Sequence, residues 1–124
     1  MTFFEGIGMH AGYGASMILN GCTISVDKGQ IAVIVGPNGA GKSTAMKALF
    51  GMLPLREGSV YIDSKDITEL RPEQRVLLGM GYVPQTNNVF PSMTVLENLE
   101  MGGFVRSDDL SQTILEMFDL FPIL

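Results

Sequence analysis

The sequence predicts an α/β chain, on three observations. An apolar run, Ile31-Ala32-Val33-Ile34-Val35, passes through the glycine-rich loop Gly36-Pro37-Asn38-Gly39-Ala40-Gly41-Lys42-Ser43-Thr44 into the helical stretch Ala45-Met46-Lys47-Ala48-Leu49-Phe50. Ahead of that run, residues 3–26 read as short β segments broken by glycine, the pattern of a small antiparallel sheet. Behind it, helix-start signals recur toward the C-terminus.

Taken in order, the first β segments turn at Gly12-Tyr13-Gly14 and again at Asp27-Lys28-Gly29. Tyr13 is the only aromatic in its turn, and its ring either stacks on a base or packs on its hairpin neighbours. His10 has no second histidine with which to share a metal. The lone Cys22 excludes an internal disulfide, fits a reducing compartment and reads as a small buried apolar residue.

Ile31 to Val35 is rich in β-branched residues and bounded by glycine, as expected of a strand buried on both faces of a parallel sheet. Gly36, Gly39 and Gly41 then allow backbone angles that a Cβ resists, so consecutive N–H groups can converge on an anion at the positive end of the following helix. All fixed positions of G-x-x-x-x-G-K-[ST] are present, with Lys42 placed to reach β and γ phosphates and the Ser43 hydroxyl placed to ligate Mg²⁺.

Gly51 and Pro54 end the first helix, and Gly58-Ser59-Val60-Tyr61-Ile62-Asp63 alternates as a strand. Pro72-Glu73 opens a short helix that Gly79 caps, and Gly81-Tyr82-Val83-Pro84 reads as a strand ending at proline before the polar loop Gln85-Thr86-Asn87-Asn88. Thr94 and Glu97 form a capping box for a helix through Leu99 and Met101 that closes at Gly102-Gly103. A last helix is expected from near Ser107, with Asp108 and Asp109 at its positive end and Leu110, Ile114, Phe118 and Phe121 on its packing face.

The 124 residues allow one domain at most. Charged residues make up 17 % of the chain, and the mean hydropathy is +0.27. Some apolar surface is therefore expected to need a partner. The net charge of -5 resides in the residues from Glu97 onward, read as a solvated helical face. No basic stripe suited to nucleic acid is present, so no nucleic-acid partner is expected. Gly6 to Val26 is uncharged, but five glycines and several polar residues make it a poor membrane span, and it lacks the basic start of a signal peptide. The expected location is the cytoplasm.

The order of features is specific: a turn tyrosine, the Gly36 to Thr44 loop, a Gly-Ser-Val-Tyr-Ile strand and Gly81-Tyr82-Val83-Pro84-Gln85. It resembles the ATP-binding subunit of ABC transporters. The run through Phe90-Pro91, Thr94-Val95 and Glu97-Asn98-Leu99 is most similar to subunits that energise branched-chain amino-acid uptake in bacteria. The resemblance implies a P-loop NTPase domain of the ABC ATPase kind, with an antiparallel β subdomain, parallel core strands and the start of a helical subdomain. On that reading, residues 1–90 form the nucleotide-binding core and 91–124 the beginning of the helical part. The resemblance further implies that Tyr13 stacks on adenine and that Gly36, Pro37, Asn38, Gly39, Ala40, Gly41, Lys42, Ser43 and Thr44 hold the ATP phosphates. Ser43 would ligate Mg²⁺, and Gln85 would touch the metal and its water. The implied partners are transmembrane permease subunits and a second ATP-binding subunit, with the protein peripheral to the inner membrane when assembled.

These residues resemble about the first half of the family's domain and carry no Leu-Ser-Gly-Gly-Gln signature, no apolar strand ending in Asp-Glu and no later switch histidine. The expectation is a truncated domain with weak ATP binding, negligible hydrolysis and a tendency to self-associate through Ile31 to Val35. A soluble ABC-type ATPase unconnected with transport and another P-loop enzyme, such as a small-molecule kinase, are the alternatives.

Overall fold

The start of the chain folds about Gly14-Ala15 into a long hairpin, β1 (Thr2–Tyr13) with β2 (Ser16–Asp27), and Met9, Ala11 and Leu19 are buried. The computed structural model describes all residues, Met1–Leu124, in two units, Met1–Gly81 and Tyr82–Leu124. The hairpin replaces the expected short segments with two 12-residue strands. Register shifts between Gly6 and Met9 and between Ala11 and Gly12 absorb the glycines without ending the ladder. The first turn lies at Gly14-Ala15, so Tyr13 pairs with Ser16 as the last rung of the ladder.

Strand β3 (Glu57–Ile62) lies antiparallel beside β1, and a two-residue connection leads to the short β4 (Lys65–Asp66). Asp63 and Ser64 in that connection take φ of 48° and 65°, the pair of positive values that a type I′ hairpin turn requires. The sheet has the order β2-β1-β3-β4, and every pairing is antiparallel.

Helix α1 (Lys42–Phe50) lays Ala45, Ala48 and Leu49 on Met9, Ala11, Leu19, Val60 and Ile67 to make the core of the first unit. It ends as its sequence predicts, with Gly51 left-handed at φ 87° and its N–H donating to the Ala48 carbonyl. Helix α2 (Pro72–Leu77) is short and carries Arg75 into the interior.

Two predicted strands are not formed. Ile31–Val35 has no regular secondary structure, and Ile31, Val33 and Val35 are 92 %, 77 % and 84 % exposed. Gly81-Tyr82-Val83-Pro84 likewise joins no ladder. The α/β class and the antiparallel sheet stand, but the parallel core strands do not form in this chain. The physical reason is pairing: a buried parallel strand needs neighbours on its ladder, and the four strands here pair only with one another.

In the second unit, α3 (Val95–Gly102) starts with the predicted capping box, in which Thr94 Oγ1 accepts from the Glu97 N–H at 3.1 Å and Glu97 Oε2 accepts from the Thr94 N–H at 2.8 Å. Helix α4 (Ser111–Leu120) starts four residues later than the expected Ser107. The delay has a cause in the acidic pair. Asp108 is bound to the Arg106 guanidinium, while Asp109 accepts from the Ser111 N–H at 2.9 Å and from its hydroxyl at 2.7 Å. No helix in either unit is long and apolar enough to cross a membrane.

Candidate phosphate-binding site

The loop from Gly36 to Ser43 is built by two left-handed glycines and one tight turn. Gly39 and Gly41 take φ of 86° and 93°, and the Ala40 N–H donates to the Pro37 carbonyl at 3.2 Å. Gly36 closes on the far side of the loop, where a Cβ would meet the Ala40 Cβ at 3.3 Å. Gly41 is held by close approach as well as by conformation, since a Cβ there would stand 3.1 Å from Ile18 Cγ2 and 3.3 Å from Leu19 Cδ2. The loop is thus seated against β2.

Gly41 is the N-cap of α1, and a glycine offers no side-chain oxygen to the first turn. The helical ladder begins with the Ala45 N–H donating to the Gly41 carbonyl at 2.8 Å. The N–H groups of Lys42, Ser43 and Thr44 precede that bond and point out of the positive end of the helix. Lys42 Nζ folds over the loop and donates to the Gly36 carbonyl and, at 3.2 Å, to the Pro37 carbonyl. Helix phase separates the two hydroxyls that follow: Ser43 is exposed, while Thr44 is 7 % exposed and packs inward. The arrangement offers helix N-terminal N–H donors, one ammonium bonded over the loop and one exposed hydroxyl, a set chemically suited to a polyphosphate with a hard cation.

Tyr13 is 49 % exposed at the hairpin end of β1, and its partner Ser16 is two residues from Ile18, which touches the loop. The structure therefore brings Gly36–Thr44 and Tyr13 into one unit. Gln85 is exposed and belongs to the Tyr82–Leu124 unit.

Sequence reasoning passed over Arg75, which is 2 % exposed and spends its guanidinium on three carbonyls behind α1. It also gave Asn98 no role of its own, although that side chain holds the loop before α3. Neither has a local signal, because each acts on backbone whose position depends on the fold.

The profile of the family described as ABC transporter matches residues 19–123. The chain belongs to that family. It is 39 % identical over 115 residues to the probable branched-chain amino acid transport ATP-binding protein LivF of Archaeoglobus fulgidus, covering 92 % of this chain and 49 % of that protein. It is 43 % identical over 90 residues to the probable LivG of Methanocaldococcus jannaschii, covering 73 % of this chain and 35 % of that protein. The ribose import ATP-binding protein RbsA of Streptococcus agalactiae is 35 % identical over 113 residues, covering 86 % of this chain and 23 % of that protein. This ABC-family chain thus spans about half the length of the first of these relatives and less of the others. Among solved structures, the ADP conformation of an ATP-binding cassette of an ABC transporter matches with a TM-score of 0.75 at 34 % identity, covering 94 % of this chain and 46 % of that one. The expected ABC ATPase fold class is therefore the observed one, and the chain is part of an ABC transporter ATP-binding domain.

Proposed function

We propose that this chain is the nucleotide-binding portion of an ATP-binding subunit of an ABC importer for branched-chain amino acids, and that residues 36–44 bind Mg-ATP. The observation that carries the reading is the loop itself, framed by left-handed Gly39 and Gly41 and opening onto an α1 start that no side chain caps. Lys42 exchanges the Gly36 and Pro37 carbonyls for phosphate oxygens, and the backbone N–H groups of the first turn take the rest of the charge. Tyr13, half exposed in the same unit as the loop, supplies the stacking face for adenine.

The donor set fits Mg²⁺ in the way nucleotide sites hold it. No group of three His, Cys, Asp or Glu side chains that could cage a metal is present. One exposed hydroxyl, Ser43, stands at the phosphate end, and Mg²⁺ is ordinarily held by few protein ligands plus phosphate oxygens and water. Bound there, the ion would neutralise phosphate charge.

Substrate class rests on the relatives. The two proteins named for branched-chain amino-acid transport are 39 % and 43 % identical, against 35 % for the ribose relative. The proposed partners are transmembrane permease subunits and a second ATP-binding subunit, at the cytoplasmic face of the membrane. The exposed Ile31, Val33 and Val35 also support self-association of this chain by edge pairing, which sedimentation at several concentrations tests. The family match disfavours a small-molecule kinase. The decisive test is calorimetric titration of the chain with Mg-ATP beside Lys42→Ala: binding that Lys42→Ala abolishes supports the site, and heat that survives the substitution overturns it.

A further inference from the structure

Unlike a typical surface asparagine, Asn98 on α3 is fully engaged with backbone. Its Oδ1 accepts from the Phe90 N–H at 2.8 Å, and its Nδ2 donates to the Thr94 carbonyl at 2.9 Å and the Phe90 carbonyl at 3.1 Å, with the Met93 carbonyl at 3.5 Å. The planar amide meets both the donor and the acceptor of Phe90, as a neighbouring strand would. Behind it, the Met93 N–H donates to the Phe90 carbonyl at 3.1 Å, and the Thr94–Glu97 box fixes the next residue. What these bonds hold is apolar: Phe90 is 50 % exposed, with Val89, Met93, Val95 and Leu96 exposed around it.

We infer that Asn98 is a positioning residue that locks Phe90–Thr94 onto the first turn of α3, so that the loop carrying Phe90 moves as a rigid extension of the helix. A free loop bearing these side chains would collapse its phenyl ring onto the nearest apolar surface. The clamp instead leaves Phe90 half exposed with both its N–H and its carbonyl bonded. Under the transporter reading, which this inference deepens, the clamp fixes the segment that follows the Gln85 loop in sequence against α3. The clamp itself does not depend on that reading.

The test is amide hydrogen exchange on the whole chain in wild type, Asn98→Ala and Asn98→Asp. Aspartate keeps the acceptor for the Phe90 N–H and loses the donors to the carbonyls. The expected result is that the Phe90 amide exchanges on the order of tenfold faster in Asn98→Ala and stays protected in Asn98→Asp, while the Val60 amide of β3 is unchanged in both. Equal Phe90 exchange in wild type and Asn98→Ala, with α3 still protected, overturns the inference. If Asn98→Ala melts α3 altogether, Asn98→Asp decides: retained protection at Phe90 supports the clamp, and lost protection overturns it. Mg-ATP titration of the same proteins is expected to be unchanged by either substitution. Absence of ATP binding in wild type would defeat the nucleotide reading and leave the exchange result to stand alone.

Discussion

Arg75 Nη1 donates to the Leu49 carbonyl at 2.7 Å, tying α2 to the C-terminal end of the helix whose other end carries the phosphate loop. The same guanidinium donates to the Leu70 carbonyl at 2.9 Å and the Thr68 carbonyl at 3.0 Å, and burial pulls its pKa below the usual arginine value. A cation at this end also opposes the negative pole of α1. Arg75→Met keeps much of the packing but leaves three carbonyls without their donor, so it is expected to destabilise the chain by about 2–4 kcal/mol, read from urea unfolding. Arg75→Lys is expected to recover only part of this, because one ammonium cannot reproduce the planar fork.

Gly51 lies against that arginine, where a Cβ would stand 2.6 Å from Arg75 Nε. Its cap was legible in sequence and its contact was not, and the contrast holds along the chain. The Gly51 cap, the Thr94–Glu97 box and the Gly36–Thr44 loop are readable because the residues that make them are close in sequence. Ile31–Val35 has the pattern of a strand and does not form one, because strand formation depends on ladder partners elsewhere, and the hydrophobic run carries no record of which partners exist. Arg75 and Leu49 are 26 residues apart, so no spacing rule connects them. At the site, the motif names Ser43 as the hydroxyl that follows Lys42, and the packing of α1 leaves that residue exposed while Thr44 turns inward.

Gly39 and Gly41 separate conformational from steric strain within the loop. Both have positive φ, but only Gly41 has neighbours that an added methyl would strike. Gly39→Ala is expected to cost about 1 kcal/mol, the penalty for a left-handed residue with a Cβ. Gly41→Ala is expected to cost about 2–3 kcal/mol and to abolish Mg-ATP binding, because the loop must lift off Ile18 and Leu19. Thermal melts and ATP titrations of the two variants check the ordering.

Thr94 and Glu97 satisfy each other's backbone at the start of α3, but their contributions are unequal. Thr94→Ala removes the oxygen that caps the first turn and is expected to cost about 1 kcal/mol in the stability of the helix. Glu97→Gln retains an acceptor for the Thr94 N–H and is expected to cost only a few tenths. Amide exchange through Val95–Gly102 measures both.

The start of α4 is expected to weaken in acid, through Asp109. Its carboxylate accepts from the Ser111 hydroxyl and then from the Ser111 N–H, and these bonds hold its pKa below the ordinary aspartate value of 3.8. A carboxylate whose pKa is lowered by folding binds its proton less readily in the folded chain, so its stabilisation is complete above the unfolded value and is lost as the pH falls through the folded one. The first turn of α4 is therefore expected to hold from neutrality to about pH 4 and to fray below it. Ser111→Ala removes the larger cause and is expected to move the Asp109 titration upward toward 3.8, observable as the carboxyl carbon shift of that residue against pH. Asp109→Asn keeps an oxygen acceptor without the titration, so amide exchange at Ser111 in that variant is expected to lose its dependence on the protonation of residue 109. Fraying with the same acid midpoint in Asp109→Asn as in wild type would assign it to the neighbouring Arg106–Asp108 pair instead, because Asp108 is also held below 3.8, by its bond to the Arg106 guanidinium.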